Sequence, residues 1–226
     1  MGQRLASKPY CVAFPLASLI DHATVGYGQG DRDRHLVLRV TENEFVISQH
    51  RNDLSLETTI HVPEDILETL QWSEAQNPLP LVCRNGITAM GIGRTLLTIG
   101  KDGRSQTIAV PEPVVAVTAS PQGTRLRFVL SFRDGGGAIL WYGTKLEPHL
   151  FGREQSQLQM QFTRTGKLIA AGGEQGDIYE TTTDHLTCVG RFELSEAGVM
   201  QILPGSKPSS FFVCYRSGLV EEMECP

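Results

Sequence analysis

No two cysteines in this sequence stand close enough to clamp a metal. The five, Cys11, Cys83, Cys188, Cys214 and Cys225, are scattered, and no Cys-x-x-Cys occurs. A structural zinc site wants closely spaced ligand pairs, so the thiols read as buried structural residues of a reducing, cytoplasmic setting. There is no run of 18 apolar residues, so no membrane-spanning helix and no membrane partner are expected. Residues 1–9 lack the apolar stretch of a secretory leader. Met1-Gly2 begins as a myristoylation signal does, but Ala6 stands where that signal wants Ser or Thr. A basic excess is also missing. The 20 Lys and Arg against 25 Asp and Glu leave a formal net charge of −5, without the positive field that draws nucleic acid.

Catalytic and cofactor motifs are equally sparse. His22, His35, His50, His61, His149 and His185 form neither an i, i+2 pair nor a His-Glu-x-x-His run. Asp31 and Asp33 alternate with Arg32 and Arg34 and read as a salt-bridged surface loop, because the glycine of a calcium loop is absent. Gly26-Tyr27-Gly28-Gln29-Gly30 and Gly91-Ile92-Gly93 lack the full spacing of a dinucleotide loop and read as turn glycines. No Gly-x-Ser-x-Gly elbow is present. Trp72 and Trp141 do not recur at equivalent positions, so no set of sugar-stacking sites is visible. No enzyme activity, cofactor or metal is therefore expected.

What the sequence does contain is a repeat. Five segments share one shape: an apolar strand, a short polar turn and a second strand. They are His35–Val40 with Phe45–Ser48, Leu79–Cys83 with Ile87–Met90, Leu126–Phe132 with Ala138–Trp141, Lys167–Ala171 with Asp177–Glu180, and Ser210–Tyr215 with Leu219–Glu222. The turns between them carry Glu42-Asn43, Arg84-Asn85-Gly86, Arg133-Asp134-Gly135, Glu174-Gln175-Gly176 and Arg216-Ser217-Gly218. Asn-Gly, Asp-Gly and Ser-Gly suit tight turns, where glycine supplies a positive φ without strain. Turn to turn, the spacing is about 43, 49, 41 and 42 residues, the period of a four-stranded propeller blade.

The stretches between hairpins fit the same scheme. Lettering strands a to d from the inside outward, strand a is expected at 19–23, 66–70, 114–117, 158–162 and 198–202. Strand d is expected at 58–62, 106–110, 149–152 and 186–190. Pro15, Pro63 and Pro111 follow outgoing strands, as befits a residue without a ladder donor. The segment 64–73 is ambiguous. Pro63-Glu64-Asp65 signals a helix start, but the repeat places a strand there, and the strand is the expectation. The longer second interval leaves slack around Arg94–Arg104 for a loop or an extra hairpin. The last unit stops after strand c, while Tyr10–Phe14 is an orphan strand. Since open sheet edges recruit other chains, residues 9–15 are expected to complete the last blade. The expected fold is all-β: one five-bladed β-propeller of four-stranded antiparallel blades at about 17–63, 64–112, 113–155, 156–194 and 195–226, plus the closing strand.

Ser120-Pro121-Gln122-Gly123, Asp134-Gly135 and Trp141 resemble the Ser-Pro-x-Gly turn, Asp-Gly and strand-c tryptophan of WD40-type repeats. Thr165-Gly166 and Gly176-Asp177 resemble the same pattern, with Tyr179 near the tryptophan's place. The other three units match only in outline. No unit has a Trp-Asp pair or the Gly-His signature. The resemblance implies an interaction platform, working with another protein or within a multi-subunit complex. Five-bladed glycosidases resemble this architecture too, but need facing carboxylates about 5–9 Å apart. The expected inner strands offer only Asp21 and Glu68. A small-ligand or sugar-binding propeller is the alternative. The b–c turns should share one face, gathering Glu42, Asn43, Arg84, Asn85, Arg133, Asp134, Glu174, Gln175, Arg216 and Ser217. Arg84, Arg133 and Arg216 stand at matching places, and arginine's planar fork favours interfaces. Arg84, Asn85, Arg133, Asp134, Glu174, Gln175 and Arg216 are the expected partner-binding residues.

Overall fold

A computed structural model describes residues 24–29, 35–41, 44–51, 55–62, 66, 70, 74–75, 79–100, 102–120, 127–141, 158–181 and 186–225. The described strands, in chain order, are β1 (Thr24–Gln29), β2 (His35–Thr41), β3 (Glu44–His50), β4 (Leu56–His61), β5 (Leu79–Arg84), β6 (Ile87–Ile92), β7 (Thr95–Ile99), β8 (Ser105–Ala109) and β9 (Val114–Ala119). They continue with β10 (Arg127–Phe132), β11 (Gly137–Trp141), β12 (Gln159–Phe162), β13 (Leu168–Gly172), β14 (Gln175–Thr181), β15 (Leu186–Glu193), β16 (Val199–Pro204), β17 (Ser210–Tyr215) and β18 (Val220–Glu224). The fold is an all-β, five-bladed propeller. Blades one, two and four are antiparallel meanders of four strands, β1–β4, β5–β8 and β12–β15. Blades three and five show three described strands each, β9–β11 and β16–β18.

A four-stranded meander carries the chain from the inside to the rim, and the link to the next blade carries it back. Successive inner strands must therefore run parallel. β1 and β5 do so in register, Gly26 opposite Leu79 and Gly28 opposite Leu81. This pairing joins the first two blades into one eight-stranded sheet. β5 then packs on β9, β9 on β12 and β12 on β16.

The core is a series of seams. Adjacent residues of one strand point to opposite faces, and in the middle blades both faces are covered. Leu81 and Cys83 face the seam with blade one, beside Ile47, while Val82 joins Phe128 and Leu130 between blades two and three. Val129 and Ile139 meet Met160, Phe162 and Ala170 between blades three and four. Ile169, Ala171 and Ile178 meet Phe211, Val213 and Tyr215 between blades four and five. This is why Val114–Ala119 and Leu168–Gly172 are continuously apolar or small rather than alternating. A buried side-chain tether crosses the seam between blades three and four: the Ser131 hydroxyl donates to the Leu158 carbonyl at 2.6 Å.

Several expectations are corrected. Within the expected inner strand 66–70 the described residues are not in a strand: Ile66 is helical and Leu70 lies in a bend. The local signal of Pro63-Glu64-Asp65 outweighs the repeat there, and Ile66 and Leu70 pack on the first seam as part of a link. The inner strand of blade two is β5 instead. The slack in the second interval is occupied by β7, which pairs with β6 and β8. The first inner strand seen is β1, and the expected 19–23 lies outside the described residues, as do the fourth strand at 149–152 and the closing strand 9–15. Gly26 and Gly28 are strand residues, not turn residues.

Asn85 (φ 53°) and Gly86 (φ 70°) form the two-residue β5–β6 turn with both central residues left-handed, the type I′ geometry that Asn-Gly suits. Gly91 is a packing glycine: a Cβ there would sit 2.5 Å from Val114 Cγ1 and 3.0 Å from Pro80 Cγ. Gly91→Ala is expected to destabilise by about 1–3 kcal/mol through overpacking. The urea midpoint should fall, and Val114→Ala in the same chain should recover part of the loss. Equal stability of Gly91→Ala and wild type would contradict this tight approach.

Candidate partner-binding face

In each meander the first and third turns lie at one end, and the second turn lies at the other end with the blade-to-blade links. Backbone hydrogen bonds confirm which residues share the second end. Arg133 N donates to Pro113 O at 2.9 Å, and Arg216 N donates to Gly198 O at 3.1 Å. Each joins the β-turn after a second strand to the residue just before its own blade's inner strand. Arg133 and Arg216 are therefore equivalent positions. Val114 N to Gly93 O at 2.9 Å and Leu194 N to Glu174 O at 3.1 Å add two more turns to the same end.

Arg84 and Asn85 are not on this face. β5 and β6 are the first and second strands of their blade, so their turn lies at the opposite end. The residue that takes Arg84's expected place is Arg94, in the β6–β7 turn. Its Nε lies 3.0 Å from Glu74 Oε2, its Nη2 3.7 Å from Glu112 Oε2, and its Nη1 donates to Pro111 O at 3.2 Å. Arg133 Nη2 donates to Glu74 O at 3.0 Å. Two arginines thus hold residue 74 of the link after blade one across blades two and three. They are anchors for the protein's own chain, and sequence reasoning missed Arg94 and Glu74. The signal for Arg94 was the Gly93-Arg94 pair followed by the apolar Thr95–Ile99.

The remaining expected residues divide by exposure. Asp134, Glu174, Gln175, Arg216 and Ser217 are exposed. Gln175 opens β14, so its turn is Gly173-Glu174. Arg216 lies along Gly198, its Cδ 3.6 Å from where a Cβ would stand. Ser217 Oγ accepts from Leu219 N at 3.2 Å. Glu42 and Asn43 lie outside the described residues.

Beside Arg216, Tyr215 Oη donates to Glu221 Oε2 at 2.8 Å and accepts from Ser195 N at 3.2 Å, while Ser195 Oγ donates to Glu221 Oε1 at 2.7 Å. Burial, then the hydrogen bond to Glu221, pushes the Tyr215 phenol up to about 12, so it remains a neutral donor. This triangle fixes the link between blades four and five against β17 and β18. On blade four, Asp177 accepts from Arg191 Nε at 3.0 Å and from Tyr179 Oη at 3.1 Å. Burial, reinforced by the Asp177 charge, raises the Tyr179 phenol. Among the described residues, no three His, Cys, Asp or Glu side chains gather as a metal site, and no helix is long and apolar enough to cross a membrane.

No family model and no curated protein matches the chain. Solved structures do. A streptogramin B lyase structure matches with TM-score 0.54 at 12% identity, over 92% of this chain and 71% of that one. BBS1N, crystallised in complex with ARL6DN, matches with TM-score 0.54 at 14% identity, over 84% of this chain and 60% of that one. The Myceliophteria thermophila Cps50 (Swd1) β-propeller domain matches with TM-score 0.65 at 9% identity, over 91% of this chain and 66% of that one. The chain thus spans less than two thirds of the length of BBS1N and about two thirds of that of Swd1. At such identities the likeness speaks for architecture alone, and by its architecture this chain is a β-propeller.

Proposed function

We propose that the protein is a non-catalytic platform for protein–protein interaction, a cytoplasmic subunit of a larger assembly that uses no cofactor. The observation that carries this reading is the shared end of the blades. Asp134, Glu174, Arg216 and Ser217 stand exposed on turns fixed by backbone bonds to the neighbouring links. Charged side chains held on rigid turns suit a docking surface, since little order is lost when a partner seats on them. Arg94 and Arg133 act within this surface as internal anchors. The propeller of BBS1N, crystallised with ARL6DN, is a neighbour that does hold a protein partner.

The test reverses only the exposed charges: Asp134→Arg, Glu174→Lys and Arg216→Glu together. Recovery of the native partner from host lysate should fall by about tenfold or more. The melting temperature should stay nearly unchanged, because exposed charges contribute little to stability. Undiminished recovery would remove this face from the interface. A strong glycan-array signal with no protein partner would favour a sugar-binding propeller.

A further inference from the structure

The topology sorts the turns by end, and the sequence charges the two ends differently. In blades two, four and five the first turn, between the first and second strands, carries cations. Arg84 closes β5, Arg164 and Lys167 stand in the β12–β13 turn, and Lys207 stands in the β16–β17 turn. These three turns hold no Asp or Glu. Outside the described residues, the sequence of 30–34 and 121–126 adds Arg32, Arg34 and Arg125 against Asp31 and Asp33. The opposite end collects Glu74, Glu112, Asp134, Glu174 and Glu196 on its turns and links. Two of its arginines, Arg94 and Arg133, are engaged by the protein's own links. A chain of formal net charge −5 thus gathers positive charge at one end of the ring.

Two of these turns form one bonded unit. Thr165 N donates to Pro208 O at 3.3 Å, joining the first turns of blades four and five. Within blade four, Thr163 N donates to Lys167 O at 2.8 Å and Lys167 N donates to Thr163 Oγ1 at 3.1 Å. Within blade five, Lys207 N donates to Ser210 Oγ at 2.9 Å, and Cys225 N donates to Ser209 O at 3.0 Å. On this unit Arg164 and Lys207 are exposed and Lys167 is half-buried. The acids that reach it from β18 are held locally. Glu224 Oε2 lies 3.2 Å from Lys207 Nζ, and Glu222 Oε1 accepts from Ser206 N and from Ser210 Oγ, each at 2.7 Å. Cations carried on a bonded backbone suit an anionic partner, because the sign of the surface steers it in and little order is lost when it seats.

The geometry points to this end of the ring, centred on Arg164, Lys167 and Lys207 with Arg84 two blades away, as a docking surface for an Asp- and Glu-rich segment of a partner protein. An acidic protein segment fits it better than a nucleic acid does. No aromatic residue, on which bases would stack, occurs in 30–34, 85–86, 120–126, 163–167 or 205–209. The acidic opposite end and the negative net charge also oppose a long polyanion. This inference rests on the platform reading and adds a second surface, at the end opposite the shared turns, with a stated partner chemistry.

The probe is a labelled peptide of about 12 residues, Glu and Asp interspersed with Gly and Ser, which spans roughly 40 Å when extended. The same peptide with Lys for the acids is the control. Fluorescence anisotropy on the full chain at about 50 mM salt should show the acidic peptide binding about tenfold or more tightly than the control, and more weakly as salt rises. Arg164→Glu with Lys207→Glu should weaken the acidic peptide by about tenfold or more. Arg164→Gln with Lys207→Gln, which brings no new charge beside Glu224, should weaken it several-fold at a nearly unchanged melting temperature. Equal binding by wild type and the folded Gln variant would place the peptide elsewhere and overturn the proposal. Tighter binding of a single-stranded oligonucleotide of matching charge would assign the surface to nucleic acid and overturn it as well. The variant Asp134→Arg, Glu174→Lys and Arg216→Glu should bind the acidic peptide no less tightly than wild type. Loss of the peptide in that variant would move the site to the shared turns and overturn this proposal, whereas loss of the native partner alone concerns only the platform surface.

Discussion

Deletion of residues 1–16 is expected to yield a protein that aggregates or loses cooperative unfolding. β18 is the outermost described strand of blade five, paired on one side with β17. Cys225 N donates to Ser209 O at 3.0 Å. In an antiparallel pair such bonds recur at every second residue, so the amides of Glu221 and Met223 also turn toward β17. Those of Val220, Glu222 and Glu224 turn to the outer edge. An edge of this kind recruits other chains unless it is covered, and Tyr10–Phe14 has the alternation of a covering strand. Tyr10, Val12 and Phe14 would each contribute about 1.5–3 kcal/mol on burial, a large share of a typical ~5–15 kcal/mol. Deleting only residues 1–7 should leave the melting temperature nearly unchanged. Light scattering and thermal unfolding separate the two deletions. A monomeric 16-residue deletion that melts like the full chain would leave the closing role without support.

The second large effect lies in a seam. Phe128 is fully buried on β10, in the cluster where Val82, Ala89 and Leu96 of blade two meet Val114, Val117 and Leu130 of blade three. Phe128→Ala should cost about 3–5 kcal/mol, the lost transfer free energy plus the cavity left behind. Met200→Ala, at an exposed position of β16, should change stability by no more than about 0.5 kcal/mol. Urea unfolding measures both, provided the slope is unchanged. Similar costs at the two positions would contradict the assignment of one to a sealed seam and the other to a solvent-exposed position.

Turn chemistry made much of the blade pattern legible. Asn85-Gly86, Asp134-Gly135 and Ser217-Gly218 mark turns because few other pairs tolerate such backbones, and strands flank all three. The position of a hairpin within its blade was not legible in the same way. A turn between first and second strands and one between second and third use the same residues, so the turn chemistry alone puts Arg84 at the wrong end. Its true counterpart, Arg94, lies where the repeat spacing leaves slack, although Thr95–Ile99 is apolar and β-branched enough to be a strand. At Ile66 the opposite holds: the local helix signal of Pro63-Glu64-Asp65 outweighs the repeat. The roles of Arg94 and Arg133 were beyond reach, because the carbonyl they anchor belongs to a link remote in sequence.

Closure of the propeller by its own N-terminal segment is tested most directly by amide hydrogen exchange at β18 in the full chain. With a fourth strand in place, the outward amides of Val220, Glu222 and Glu224 should be protected alongside those of Glu221 and Met223. They should stay protected after removal of residues 1–7. Rapid exchange of the three outward amides in the full chain, with the two inward ones still slow, would show a bare edge and contradict closure.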